Sequence, residues 1–236
     1  MKKIIILSTL VAFLTGCDNQ QKPQAYTPEM ASFSNEFNFD PLRGPVKDFS
    51  QTLMNEKGEV VKRVVGSVSS EGCFDTLEFH DIEANTGATL ILDANYYLDA
   101  ISREKRIKLQ GKCQLAELPA AAVTYDTDDN GFVVKASGKD VTVEYHYDAD
   151  GYPTDQTTTA KGSTLAVTTK TSADKKKMLD YTAISTLNGK PVTKIIQNCD
   201  YDAHFNPVSC ALNITDDSVT PSATTRYVIK NSIDYY

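Results

Sequence analysis

Three textures of hydrophobic and polar residues succeed one another along the chain. An apolar run from Ile4 to Leu14 gives way to a polar stretch, Asp18 to Ala25, that has no periodicity. From Val46 onward, apolar and polar positions alternate. Val60, Lys62 and Val64 oppose Val61, Arg63 and Val65, and the pattern returns in 89–92, in Val141 to Tyr147 and in Tyr227 to Tyr235. A period of two marks half-buried strands. Ahead of them, Thr27-Pro28-Glu29 supplies an N-cap, a proline at the first helical position and a carboxylate facing the helix dipole. A short helix is predicted there, ended by Pro41, Gly44 and Pro45. The segment Ser102 to Leu109 fits either a helix or a charged edge strand.

Turn chemistry separates the strands. Tyr125-Asp126 with Asn130-Gly131, Tyr147-Asp148 with Gly151, and Tyr201-Asp202 with Asn206 each set an aromatic and an Asp before a bend, and Asn55 to Gly58 is a degenerate fourth copy. Asp side chains bond turn amides, and Gly or Asn accepts a positive φ. These units resemble YD-type hairpin repeats. The expected fold is mainly β, with antiparallel hairpin-built sheets, YD-like turns and one short N-terminal helix. It occupies residues 27–236 as one domain or two tightly packed halves.

The N-terminus gives an address. Lys2 and Lys3 precede the apolar run, which is too short to span a bilayer, and Leu14-Thr15-Gly16-Cys17 resembles the bacterial lipobox. That resemblance implies that residues 1–16 are a signal peptide and that Cys17 becomes the first residue, carrying diacylglycerol and acyl chains; residues 17–26 then form a flexible tether. Asp18 and Asn19 are similar to the pair that retains enterobacterial lipoproteins in the inner membrane. The expected site is the periplasmic face of that membrane.

In such an oxidising compartment Cys73, Cys113, Cys199 and Cys210 are expected to form two disulfides. Centring a hairpin between His204 and Phe205 sets Cys199 opposite Cys210. The same register puts Cys199, Tyr201, Val208, Cys210, Leu212 and Ile214 on one apolar face. Cys199–Cys210 is therefore predicted, and Cys73–Cys113 by remainder.

Composition narrows the chemistry. The 236 residues are 41% hydrophobic and 23% charged, with a net charge of −7 that becomes −9 once Lys2 and Lys3 are removed. An acidic surface repels phosphate backbones, so nucleic acid is not an expected partner. Asp126, Asp128, Asn130 and Gly131 match half of a calcium loop, but Ser137 stands where a bidentate Glu is required. His146 and His204 read as surface residues, and neither they nor His80 sits in a metal or nucleophile motif. Lys175-Lys176-Lys177 reads as a solvated loop in preference to a lipid-headgroup patch. No catalytic residue, cofactor or metal is assigned.

Four stretches carry a closer resemblance: Pro28 to Phe37, Asp40 to Phe49, Leu109 to Pro119 and Lys230 to Tyr236. They resemble the enterobacterial YnfC lipoprotein family, which implies the lipoprotein address and no chemistry. The reading favoured is a non-catalytic, membrane-tethered module that presents a sheet face or edge, with exposed tyrosines and hairpin loops as contact material, to an envelope protein or cell-wall component. A binder of small apolar ligands or lipids inside a curved sheet is the alternative.

Overall fold

The computed structural model describes residues 22–236, and the expectations for the signal peptide, Cys17, Asp18 and Asn19 lie outside them. Thr27 caps the helix through its Oγ1, which accepts from the Met30 amide at 3.2 Å. Helix α1 (Pro28–Phe37) ends at Asn38, whose left-handed backbone stops the turn.

Sixteen strands follow. The first eight are β1 (Val46–Asn55), β2 (Val60–Val68), β3 (Phe74–Asp81), β4 (Thr86–Asp93), β5 (Tyr96–Asp99), β6 (Lys105–Gln110), β7 (Gln114–Leu118) and β8 (Val123–Thr127). The second eight are β9 (Val133–Ser137), β10 (Val141–Tyr147), β11 (Pro153–Ala160), β12 (Ser163–Thr171), β13 (Tyr181–Leu187), β14 (Lys190–Tyr201), β15 (Pro207–Asp216) and β16 (Ala223–Tyr235). Each pairs antiparallel with its sequence neighbour, and β16 returns to β1, from Val46 opposite Tyr235 to Asn55 opposite Tyr227. The sheet is a single closed barrel, so the two-halves version of the domain is not what forms. Closure leaves no free edge, and the Ser102 to Leu109 segment supplies β6, an internal strand of the wall.

Successive strand residues point alternately into and out of the barrel. On β14 to β16 the inward set includes Ile195, Gln197, Leu212 and Ile229, while Lys194, Asn198, Arg226 and Lys230 face out. No helix among the described residues is long and apolar enough to cross a membrane. Exposed Ile184 and Val228 stand on the same outer wall as Lys194, Arg226 and Lys230.

A sixteen-stranded ring is too wide for wall side chains alone to fill. Here the N-terminal segment fills it. Helix α1 lies against the inner face of the early strands, where Phe33 stacks on Phe74 and meets Tyr97 edge-on, and Phe37 packs on Phe79. Tyr97, Tyr125, Tyr145 and Tyr152 belong to this interior and are buried, so they do not supply the exposed tyrosine contacts expected of an interaction module. The reason is register: Tyr125 lies opposite Ala136, another buried position.

The turns share one geometry. Oδ1 of Asn55, Asp128, Asp148 and Asp202 accepts from the backbone amides two and four residues on, at 2.8–3.0 Å. The residue three positions on takes positive φ, as Gly58, Gly131, Gly151 or Phe205. In the first of the aromatic-Asp units the capping residue is thus Asp128 and not Asp126. The extra turn residue makes a bulge, which puts Tyr201 opposite Pro207 instead of Val208. Pro207 is buried in consequence, and Val208 is exposed, contrary to the face assigned from sequence.

Beyond the bulge the register holds. Cys199 faces Cys210, and these two are bonded, as are Cys73 and Cys113. The second bridge joins the β2–β3 turn to the β6–β7 turn.

The turns that begin at Ser69, Asp128, Asp148 and Asp202 share one end of the barrel, here called basal, and the chain enters there. The Tyr26 amide bonds the Asp150 carbonyl at 2.8 Å, and the Tyr26 side chain is buried. The folded domain thus begins at Tyr26, inside what sequence gave to the tether. The Arg43 guanidinium lies over the Tyr26 ring at 4.5 Å and donates to its hydroxyl and to the Lys175 carbonyl. Asn206, fully buried, grips the Arg43 backbone from both sides: Oδ1 accepts from the amide and Nδ2 donates to the carbonyl, each at 2.8 Å. Replacing Asn206 with Ala strands two buried backbone groups, each costing about 1–3 kcal/mol. The expected result is a loss of at least about 2 kcal/mol in urea unfolding; a loss under about 0.5 kcal/mol would show that the latch bears no stability.

Candidate functional site

Helix α1 and the segment from Asn38 to Arg43 pack one side of the barrel and leave a cavity of about 390 Å³ on the other, between β11–β16 and β1–β2. Its walls are the inward aliphatics Leu53, Val64, Val167, Ile195, Leu212 and Ile229. Its floor is polar. Asp40, delivered by the break before Pro41, accepts from Gln197 Nε2 at its Oδ2, 3.0 Å away. The Asp40 amide donates to Gln51 Oε1 at 2.8 Å, so two glutamines, from β1 and from β14 three strands away in the ring, fix this residue.

Burial lifts the Asp40 carboxyl to about 6, with the Gln197 hydrogen bond pulling the other way. Among the described residues no cation lies within 4 Å of it and Oδ1 receives no hydrogen bond, while the side chain stays partly accessible because it borders the cavity. Tyr152 and Tyr181 line the same space, both kept neutral because desolvation raises their hydroxyls far above the ordinary value. Lys62 borders it from β2, with Nζ on the Asn38 carbonyl at 2.7 Å. Burial lowers its ammonium from the usual range.

The cavity is reached from the end opposite the latch, here called distal. Leu165 and Leu187 face each other across β12 and β13 in the inward register of Val167 and Ala183, yet they are 40% and 44% exposed. Inward leucines that solvent reaches mark an uncapped mouth. Val60, Ile82, Val219 and the 93% exposed Ile101 stand on or beside distal turns. Polar caps occur at both ends, as with Asn55 and Asp99 at distal turns and Asp128 and Asp202 at basal ones, but beside the basal turns Val208 is the one large aliphatic exposed among the described residues.

The residues singled out in the sequence lie elsewhere. Asp128 spends its Oδ1 on turn amides, and among the described residues no three His, Cys, Asp or Glu side chains converge as metal ligands. His204 is no free surface residue: its ring stacks on Tyr235 at 3.9 Å within the basal latch. The lysine run is held in place. Lys175 pairs with Asp150 at 2.6 Å and Asp148 at 3.5 Å, and Lys176 sits over the Phe205 ring. Asp40, Gln51, Gln197, Tyr152 and Tyr181 were not found from sequence. Their only local signal is the chain break at Pro41.

Comparisons with known proteins give the chain a family. The model of an uncharacterised protein family, UPF0257, matches residues 1–236. Proteins called UPF0257 lipoprotein YnfC from Salmonella typhi and Salmonella dublin are each 61% identical over 236 residues, covering all of both chains. A solved porin-like protein from Bacteroides uniformis is similar at a TM-score of 0.46 and 9% identity, over 82% of this chain and 99% of that one. Matched from its first residue to its last by the family model and by full-length relatives, the chain belongs to the UPF0257 family.

Proposed function

We propose that this protein is a lipid-anchored, non-catalytic binding barrel of the bacterial envelope. Cys17 carries the lipid, Asp18 and Asn19 retain it at the periplasmic face of the inner membrane, and the distal rim contacts an envelope protein. The observation that carries this reading is polarity along the barrel axis. The chain enters at the basal end through Tyr26, while exposed aliphatic side chains gather at the distal end. Nine residues from Cys17 to Tyr26 reach at most about 30 Å, which keeps the basal end near the bilayer and turns the rim away from it. The relatives' name, lipoprotein, supports the anchor. Mixed aliphatic and polar loop tips are ordinary material for protein contacts.

Two experiments test the parts separately. A photo-crosslinking residue placed at Ile101 or Val219 should capture a reproducible protein in cells, and the same residue at Glu144 or Ser232 on the outer wall should not. Equal labelling from all four positions would reject the rim as a contact surface. Fractionation tests the address: the wild type should travel with the inner membrane, and Asp18→Ser should shift it outward. Wild-type protein found mainly in outer-membrane fractions would overturn the sorting assignment.

A further inference from the structure

We infer that the barrel cavity is a binding site for a small organic ammonium compound: a protonated amine held by Asp40, on a compact apolar body packed against the aliphatic wall. The inference does not depend on which protein meets the rim. It starts from an imbalance. A carboxylate removed from water is costly unless paired and hydrogen-bonded, and Asp40 has a single side-chain partner, Gln197, with Oδ1 free among the described residues. Gln51 and Gln197 hold the group in one position, so it stands ready in the absence of any counter-ion.

The surroundings select the sign and shape of the occupant. Tyr152 and Tyr181 bring aromatic rings to the same floor, and ring faces attract cations. Their hydroxyls do not ionise near neutral pH, so they add no competing negative charge. An anion would meet Asp40 and gain nothing from the rings. A purely apolar ligand would leave Asp40, Gln51 and Gln197 facing hydrocarbon. Above the floor, Val167, Ile195, Leu212 and Ile229 offer only aliphatic contact, suited to a short hydrocarbon or aromatic body. The volume of about 390 Å³ falls in the range of small-molecule sites, roughly 300–1,000 Å³.

The test uses the full-length lipidated protein in lipid nanodiscs, with empty discs as the blank, and three probes of one shape: 4-phenylbutylamine, 4-phenylbutanol and 4-phenylbutyrate. At pH 7.5 the amine should bind at least tenfold more tightly than the alcohol or the acid. Between pH 7.5 and pH 5 Asp40 takes up a proton, since its carboxyl titrates near 6. The amine itself stays charged, like a lysine side chain of pKa about 10.4. Its affinity should therefore fall about tenfold over that interval, by one-site linkage, while that of the alcohol changes little. Lys62, Asp155, Tyr152 and Tyr181 also border the cavity. Asp40→Asn separates their titration from that of Asp40, because it keeps the acceptor for Gln197 and should abolish both the amine preference and its pH dependence. Ala183→Leu, which fills the cavity without touching Asp40, should weaken all three probes.

Equal binding of amine and alcohol at pH 7.5, an amine affinity unchanged in Asp40→Asn, or no binding of any probe at millimolar concentration would each overturn the inference. Should Asp40→Asn fail to fold, the wild-type pH comparison and Ala183→Leu decide it. Loss of crosslinking at the rim with ammonium binding intact would count only against the docking reading.

Discussion

Phe33→Ala should cost about 3–5 kcal/mol, the range for emptying a buried aromatic site, and this is among the largest effects expected from a single substitution here. Phe33 is 1% exposed, and its ring centroid lies 4.8 Å from that of Phe74 and 5.4 Å from that of Tyr97. Stacked and edge-on pairs each add about 0.5–1.5 kcal/mol beyond area burial, so truncation removes three such pairs, the third with Phe37 at 6.0 Å, and leaves a hole that the wall strands cannot close. A closed ring of strands cannot contract around a missing plug in the way that an open sheet shifts against a helix. Urea unfolding should show a lower midpoint with an unchanged slope. Phe33→Leu, which keeps most of the volume, should cost about half as much or less, and Ile101→Ala at the exposed rim should stay within about 0.5 kcal/mol. A loss below about 1 kcal/mol for Phe33→Ala would mean that the helix does not support the barrel from inside.

Removing the Cys73–Cys113 bridge, by Cys→Ser at both positions, should cost about 4 kcal/mol on the chain-entropy account, against about 3 kcal/mol for Cys199–Cys210. The difference follows from sequence separations of 40 and 11. Architecture adds to it. The long bridge spans β3 to β6, where β5 and β6 share three residue pairs, and just beyond it β7 and β8 share two. Cys199 and Cys210 instead join strands already paired from Thr193 to Tyr201. Hydrogen exchange in the Cys73/Cys113 double variant should therefore rise first in β4 to β7, while β14 to β16 stay protected. Equal costs for the two bridges, or faster exchange beginning in β14 to β16, would contradict this account. Non-reducing peptide mapping that links Cys73 to Cys199 or Cys210 would refute the pairing itself.

What the sequence determined by itself is whatever is settled within a few residues. Thr27-Pro28-Glu29 announced α1 because an N-cap acts over three positions, and the alternation from Val60 to Val65 announced strands because side chains on a pleat alternate. The Asx turns were legible because a side chain bonds amides two and four residues on, and the register that set Cys199 opposite Cys210 needed only that one turn. Tertiary structure decided the rest. The bulge that turned Val208 outward depends on Phe205 adopting positive φ, which composition does not announce. Closure of β16 onto β1 pairs residues at opposite ends of the chain. Until it forms, period two shows which residues share a face and not which face becomes the barrel interior. Asp40 gives the clearest case. In the sequence it is an acidic residue before Pro41; in the fold it meets Gln197, 157 residues away, on the floor of a cavity walled by aliphatic side chains. Periodicity reports which faces are apolar, but the charge state and exposure of a side chain depend on which distant groups a closed barrel brings around it.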